Sequence, residues 1–287
     1  MRKPLEHLDG LSPILDQYDG FLLDLWGVVH DGETLYPGVA DALKAMHKAG
    51  KRIVFLSNAP RRARIAQARL AELGIAEEII ASVVTSGEAA YRFLSTQPHG
   101  WTRYAFCGPQ RDRGLLEGLP LMPSAIEQAD FLLNVGFTDD NEPVSEWMPM
   151  LNEAHARRLP MLCANPDRIV VRLNGEVLPC AGLLADAYLS LGGRVQYFGK
   201  PHADVYTLCE SYLQGIPKAR LLAIGDSLET DILGANRAVI DSALVMGGIL
   251  KGEIVDVENG TLKIGALMQL CDDAQAFPRY TLPGLSL

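Results

Sequence analysis

The fold is decided by the segment Phe21-Leu22-Leu23-Asp24-Leu25-Trp26-Gly27-Val28, in which an apolar run ends on a carboxylate. A short run without polar alternation is typical of a parallel strand that is buried on both faces. An acid at the carboxyl end of such a strand faces the crevice where open α/β sheets bind their ligands. The segment therefore predicts an α/β protein with Asp24 at the ligand-binding edge of a parallel sheet.

The same arrangement recurs near the other end of the chain. After Arg220, residues 221–224 form an apolar run that leads into Gly225-Asp226-Ser227 and then Asp231. Two strand-end carboxylates about two hundred residues apart indicate one composite acidic site. The strand pattern alone leaves open whether these carboxylates meet.

Composition narrows the class of protein. The chain has 287 residues, of which 48% are hydrophobic and 21% charged, as is usual for a globular protein. A net charge of −9 without a run of lysines and arginines argues against a nucleic-acid or anionic-membrane partner. The five scattered cysteines indicate a reducing compartment, and no apolar segment is long enough to span a bilayer. We therefore expect a cytoplasmic protein.

Strand-like runs alternate with helical patterns along most of the chain. A helical pattern over residues 39–49 ends at Gly50, the residue favoured just beyond a helix. Such alternation predicts a doubly wound, Rossmann-like parallel sheet covered by helices. The further strand-like runs are 52–56, 105–107, 131–135, 160–163, 195–198, 221–224 and 242–246.

The middle of the chain interrupts this pattern with a turn-rich stretch between residues 97 and 123. We predict a core domain over 1–85 plus 196–287, with a second α/β unit over 86–195 inserted into it. The tail after Phe277 contains Pro278 and Pro283-Gly284 and is expected to be irregular.

Four strand ends carry groups that suit phosphoryl transfer. Taken singly, each has a plainer interpretation, such as a helix cap for an aspartate or a surface position for a lysine. Together they supply a carboxylate nucleophile, neutral donors to phosphate oxygens, a fixed cation and ligands for magnesium. The groups are Asp24, Ser57 with Asn58, Lys200, and Asp226 with Asp231.

These motifs resemble those of the haloacid dehalogenase (HAD) superfamily. The resemblance covers nearly the whole chain, and the inserted unit is similar to the α/β cap of the NagD-like sugar and nucleotide phosphatases. Ala164-Asn165-Pro166-Asp167 also resembles that subgroup. The four motifs are Asp24-Leu25-Trp26-Gly27-Val28, Leu56-Ser57-Asn58, Gly199-Lys200-Pro201 and Gly225-Asp226-Ser227-Leu228-Glu229-Thr230-Asp231.

The resemblance implies a role for each motif residue. Asp24 would attack phosphorus and become an aspartyl phosphate, while Lys200 would neutralise negative charge and Ser57 would hold phosphate oxygens. A small phosphorylated substrate and a possible homodimer are also implied. The implied ligands of Mg²⁺ are Asp24, the backbone carbonyl of Trp26, Asp226 and Asp231. The implied substrate-binding residues are Ser57, Asn58, Trp26, Gly27, Lys200, Asn165 and Asp167.

The chain departs from the phosphatase pattern at Trp26, where the family usually has a second aspartate as general acid and base. An indole N–H is only a donor and cannot shuttle a proton, and general acid–base help is worth about 10²–10⁴ in rate. His30 and Asp31 are candidate substitutes, although a turn before the first helix is the favoured interpretation of both.

Three functions follow from this departure. The favoured one is a phosphatase that obtains its acid elsewhere or acts on a good leaving group. The second is a phosphometabolite-binding or regulatory protein with weakened catalysis. The third is a dehalogenase-type hydrolase, which the retained Asp226 and Asp231 disfavour because halide displacement needs no Mg²⁺.

Overall fold

A computed structural model describes residues 4–80, 82–97, 99–139, 141–171, 176–256, 258 and 260–287. Within these residues the chain forms two parallel sheets, a two-stranded hairpin and the helices that cover the sheets. The strands are β1 (Glu6–His7), β2 (Gly20–Leu23), β3 (Arg52–Ser57), β4 (Val83–Thr85), β5 (Arg103–Cys107), β6 (Met122–Pro123), β7 (Phe131–Asn134), β8 (Pro160–Cys163), β9 (Ile169–Val171), β10 (Val177–Pro179), β11 (Arg194–Tyr197), β12 (Leu221–Gly225), β13 (Asp241–Val245) and β14 (Tyr280–Leu282). The α-helices are α1 (Val39–Lys48), α2 (Ala63–Glu72), α3 (Ser86–Ser95), α4 (Val144–Ala156), α5 (Ala181–Ser190), α6 (Ala203–Tyr212), α7 (Leu233–Ala238), α8 (Lys251–Ile254) and α9 (Ile264–Ala274). A π-helical turn, Leu228–Ile232, precedes α7.

The larger sheet has the strand order β1-β14-β13-β12-β2-β3-β4, and its neighbouring strands are parallel. From β2 the chain continues to β3 on one side, while β12 pairs with the other side. This reversal of strand order is the switch point at which open α/β sheets bind ligands. Leu23 pairs with both Phe55 and Ile224, so the three strands end at one edge. The predicted doubly wound α/β fold is confirmed.

Helices cover both faces of the larger sheet because its central strands are apolar on both. Phe21 and Leu23 belong to one hydrophobic cluster, which includes Met46 of α1. Leu22 belongs to a second cluster on the opposite face, together with Val205 of α6. Successive side chains of a strand point to opposite faces, so an uninterrupted apolar run requires cover on both.

The smaller sheet has the order β11-β8-β7-β5-β6, also with parallel neighbours. Helix α3 contributes Ala90 and Leu94 to its core, which supports residue 86 as the start of the inserted unit. At the other end, β11 pairs with β8, so this sheet extends to Tyr197, two residues beyond the predicted boundary. The division into a core over 1–85 plus 196–287 and an inserted unit over 86–195 remains a prediction.

The hairpin of β9 and β10 has no counterpart in the sequence prediction. It pairs antiparallel, with Val171 opposite Val177 and Ile169 opposite Pro179. Three-residue strands carry too little periodicity to be recognised from sequence. The connecting residues 172–175 fall outside the described ranges.

The prediction of an irregular tail is wrong. Tyr280–Leu282 forms β14, which is buried and pairs in parallel with both β1 and β13. Pro278 and Pro283 lie outside this strand, one on each side, so neither removes a hydrogen-bond donor from it. The two prolines therefore mark where the strand begins and ends and do not prevent it from forming.

None of the helices within the described ranges combines the length and the apolar character that crossing a membrane requires.

Candidate active site

The strand-end carboxylates meet at the switch point. Asp24 follows β2, Asp226 follows β12, and Asp231 lies in the π-helical turn. One carboxylate oxygen from each of the three lies within 4.8 Å of the others. All three residues are buried. The structure therefore answers the question that the strand pattern left open.

Three glycines give these carboxylates their space. A Cβ atom on Gly27, where φ is +81°, would lie 2.0 Å from Asp226 Oδ2. A Cβ on Gly248 would lie 2.2 Å from the same oxygen, and one on Gly225 would lie 2.0 Å from Asp231 Cγ. Any side chain at these positions would displace a carboxylate, so the backbone here is shaped around the acidic cluster.

Lys200 lies against the acidic cluster. Its Nζ is 2.7 Å from Asp24 Oδ1 and 2.7 Å from Asp231 Oδ1, and the residue is only 3% exposed. Asn58 holds the backbone of this lysine, because its Oδ1 accepts from Lys200 N at 2.8 Å and its Nδ2 donates to Lys200 O at 3.1 Å. The end of β3 thereby positions the cation that follows β11.

Burial and mutual repulsion control the ionisation of this cluster. Burial, followed by the charge of Asp231, raises the pKa of Asp24 well above its ordinary value. The same two causes raise the pKa of Asp226 to about 7. Burial alone would lower the pKa of Lys200, but the charges of Asp231, Asp24 and Asp167 outweigh it and raise the pKa. One ammonium offsets one of three negative charges, so a further cation would relieve the repulsion.

The donor set fits Mg²⁺. This ion takes oxygen ligands, keeps several of its waters and is commonly held by one or two carboxylates. Backbone N–H groups orient the carboxylates: Leu25 N donates to Asp24 Oδ1 at 2.8 Å, and Ile249 N donates to Asp226 Oδ2 at 2.9 Å. Such support of the ligands usually accompanies a metal site. The predicted role of the Trp26 carbonyl as a ligand remains a prediction.

A cavity of about 100 Å³ opens beside the acidic cluster. A water molecule needs only about 10–15 Å³ of such space, so the cavity is large enough to admit a phosphoryl group. The core contributes Asp24, Trp26, Ser57 and Asn58 to its wall, and the segment 166–171 contributes the rest of one side. Ser57 Oγ accepts from Ala59 N at 3.2 Å, which directs the hydroxyl at the turn after β3.

The segment before β9 brings Asp167 to the cavity. Asp167 Oδ1 accepts from Asn58 Nδ2 at 2.8 Å, and Asp167 N donates to Asn165 Oδ1 at 3.1 Å. Of these two predicted substrate-binding residues, Asp167 lines the cavity, whereas the Asn165 side chain supports the turn. Residues from the inserted unit and from the core therefore share one wall.

Trp26 also joins the two units. Its indole Nε1 donates to the carbonyl oxygen of Val171 in β9 at 2.9 Å, and its ring lies edge-on to that of His30 at 6.2 Å between centroids. The indole N–H of Trp26, which stands where the family usually has an aspartate, thus forms a hydrogen bond with the backbone of the hairpin. Trp26 therefore packs against the inserted unit.

His30 and Asp31 form a turn. His30 Nδ1 accepts from Gly32 N at 2.9 Å, while Asp31 Oδ1 accepts from Thr34 N at 2.7 Å. Burial, assisted by a nearby guanidinium, lowers the pKa of His30 to about 4, so the ring is neutral at pH 7. The turn interpretation accounts for both residues.

Sequence reasoning missed several residues that shape the site. Gly248 and Ile249 hold Asp226, and the glycine pair Gly247-Gly248 directly after a strand was the available signal. Arg168 of the inserted unit lies 2.8 Å from Glu229 of the fourth motif. The sequence carries no signal for that ion pair or for the acceptor role of Val171.

Comparison with known proteins establishes the class. Residues 21–119 match a family model described as haloacid dehalogenase-like hydrolase, and residues 197–262 match a second described as HAD-hydrolase-like. The chain is 31% identical to chronophin from Homo sapiens over 257 residues, covering 85% of this chain and 86% of that one. This chain belongs to the haloacid dehalogenase-like hydrolase family, as the resemblance predicted.

Two further similarities cover most of the chain. The chain is 27% identical to the sugar-phosphatase AraL of Bacillus subtilis, covering 88% of this chain and 89% of that one. It superimposes on a haloacid dehalogenase-like family hydrolase from Brucella suis with a TM-score of 0.82 and 31% identity, covering 97% and 99% of the two chains. Both similarities extend over most of each chain, so the likeness to this hydrolase family is not confined to the motifs.

Replacing Trp26 with phenylalanine should raise KM about 2–10-fold, because one hydrogen bond contributes about 0.5–1.5 kcal/mol. The variant keeps an aromatic ring but loses the bond from Nε1 to Val171, so the hairpin is held less firmly. The measurement is steady-state kinetics on one phosphate ester. Trp147→Phe is the matched control, since Trp147 Nε1 is buried without a hydrogen-bond partner among the described residues. Equal kinetic effects in the two variants would contradict the anchoring role.

Proposed function

We propose that this chain is a Mg²⁺-dependent phosphatase that acts on a small phosphorylated metabolite through an aspartyl phosphate at Asp24. The observation that carries the proposal is the convergence of Asp24, Asp226, Asp231 and Lys200 on one small cavity. A cytoplasmic location and a homodimeric state remain predictions.

The side chains around the cavity suit nucleophilic displacement at phosphorus. A carboxylate oxygen of Asp24 attacks phosphorus as the bond to the leaving oxygen breaks, and water then hydrolyses the acyl phosphate. Ser57 and Asn58 lie where they can hold phosphate oxygens, and the Lys200 ammonium offsets negative charge on Asp24 and on the phosphoryl group. Bound Mg²⁺ would be held by Asp24, Asp226 and Asp231 and would supply positive charge against the phosphate.

The two other functions have less support. Halide displacement from a haloacid needs no metal, so it gives no reason for three carboxylates within 4.8 Å of one another. A protein that only binds a phosphometabolite has no need for Asp24 to lie beside Lys200 and the acidic cluster. The phosphatase uses each of these groups.

The sugar-phosphatase relative makes sugar phosphates the first substrates to test, followed by nucleotide monophosphates. We expect phosphate release from at least one metabolite with Mg²⁺ and none after chelation, in a screen that includes p-nitrophenyl phosphate. Halide release from haloacids without metal would favour the dehalogenase. Binding without turnover of any ester would favour the regulatory protein.

A further inference from the structure

Among the described residues of the core, the three that stand at or near the position of the usual acid are engaged in other contacts. Trp26 occupies the position of the usual acid, and its N–H is bound to Val171 O. His30 and Asp31 are engaged in their own turn. An alkyl phosphate nevertheless expels a strongly basic alkoxide, which needs a proton as the P–O bond breaks. An acid elsewhere in the cavity wall would supply that proton.

Asp167 is a carboxyl group on that wall outside the acidic cluster. Asn58 Nδ2 binds its Oδ1 at 2.8 Å, which leaves Oδ2 as the oxygen to carry a proton. The segment that contains Asp167 is fixed to the core at both ends, by Asn58 at Asp167 and by Trp26 at Val171. Trp26, which stands where the family usually has an acid, thus helps to hold the segment that carries Asp167.

We propose that Asp167 is the general acid and base of this phosphatase, supplied by the inserted unit in place of the aspartate absent at position 26. The inference rests on the proposed phosphatase function. It extends the predicted substrate-binding role of Asp167 to proton transfer at the leaving oxygen and at the attacking water.

The position of Asp167 in the cavity wall makes it a candidate for proton transfer. Asp24 and Asp167 line the same cavity, so a phosphoryl group bound to Asp24 occupies the space that Asp167 also lines. The oxygen that leaves phosphorus, and the water that later replaces it, must then lie next to the cavity wall. A general acid has to be within hydrogen-bond reach of that oxygen.

The surroundings of Asp167 favour the protonated form that an acid requires. Burial raises the pKa of this carboxyl, and the charge of Asp231 adds to the rise. The Lys200 ammonium and the hydrogen bond from Asn58 act in the opposite direction without cancelling it. These groups lie on three elements: the end of β3, the loop after β11 and the π-helical turn.

Both chemical steps balance with Asp167 as the proton carrier. In the first, an Asp24 oxygen forms a bond to phosphorus, the P–O bond to the leaving group breaks, and the alkoxide takes the Asp167 proton to leave as an alcohol. In the second, water attacks phosphorus and gives its proton to the Asp167 carboxylate. The bond between phosphorus and Asp24 then breaks, which releases phosphate and restores both carboxyl groups.

The test is the dependence of kcat/KM on the leaving group in Asp167→Asn. Asparagine keeps an oxygen for Asn58 but carries no acidic proton. We expect kcat/KM for an alkyl phosphate to fall about 10²–10⁴-fold. For p-nitrophenyl phosphate, whose leaving group needs no proton, we expect a loss below about tenfold. The same selective loss is expected in Asp167→Ser, so the test does not depend on one variant.

Asp186→Asn is the matched control, because Asp186 is also a carboxylate of the inserted unit but pairs with Arg168 at the surface. It should leave both substrates unaffected. Equal losses for the two esters in Asp167→Asn, or no loss for either, would overturn the assignment of Asp167. If the unaltered protein hydrolyses neither ester with Mg²⁺, the proposed function itself fails, which is a distinguishable result.

Discussion

Asp24→Asn is expected to reduce phosphate release by roughly 10⁴–10⁶-fold, the range found when a catalytic nucleophile is removed. The amide is nearly isosteric with the carboxylate but cannot form the aspartyl phosphate. Its oxygen can still lie near the Lys200 ammonium, which contacts Asp24 Oδ1 at 2.7 Å in this structure. The variant should therefore fold while losing turnover. Initial rates on p-nitrophenyl phosphate measure the effect.

Mass spectrometry after an acid quench provides a second measurement for this variant. The unaltered protein should carry a phosphoryl group on Asp24, and Asp24→Asn should carry none. Asp31→Asn is the matched control, since Asp31 binds backbone N–H groups of its own turn and an asparagine oxygen can do the same. Activity of Asp24→Asn within tenfold of the unaltered protein would rule out nucleophilic catalysis by Asp24.

Asp226→Asn is expected to raise the Mg²⁺ concentration needed for half-maximal activity about 100-fold or more. Loss of groups that merely support a ligand costs about 10–100-fold in metal affinity, and a direct ligand should cost at least the upper value. Glu229→Gln is the matched control, because Glu229 lines the cavity but pairs with Arg168. A normal Mg²⁺ requirement in Asp226→Asn would remove this carboxylate from the metal site.

Thermal unfolding without substrate tests the same site independently of activity. A ligand at one hundred times its Kd stabilises the folded state by about 2.7 kcal/mol, so Mg²⁺ should raise the Tm of the unaltered protein. Asp226→Asn should show no rise at the same concentration.

Without metal, the Asp226 carboxylate is expected to destabilise the folded state, whereas with Mg²⁺ bound it contributes to stability. The folded-state pKa of Asp226 is raised to about 7, above an unfolded value of about 4, so its ionised form destabilises the fold as the pH rises through this window. At pH 7 and above, metal-free Asp226→Asn should therefore be at least as stable as the unaltered protein. A lower Tm for the variant under these conditions would contradict the repulsion within the cluster.

The sequence by itself determined the α/β fold and most of the acidic site. Asp24 follows an apolar run directly, and Asp226 follows another after one glycine. Because parallel strands place their carboxyl ends at one edge of the sheet, the closeness of these two side chains follows from the local pattern and the sheet geometry. Lys200 and Ser57 could be located for the same reason. Short strands could not be predicted in this way. The prolines on either side of Tyr280–Leu282 led to the prediction of an irregular tail, although these residues form a buried strand.

Only the tertiary structure decided what faces the site from the inserted unit. The bond between Asn58 and Asp167 joins residues 109 positions apart, and that between Trp26 and Val171 spans 145 positions. Neither bond follows from periodicity or spacing, because each depends on how one folded unit lies against another. The space for the Asp226 carboxylate likewise depends on Gly248, which is distant in sequence and becomes a neighbour when β12 and β13 pair.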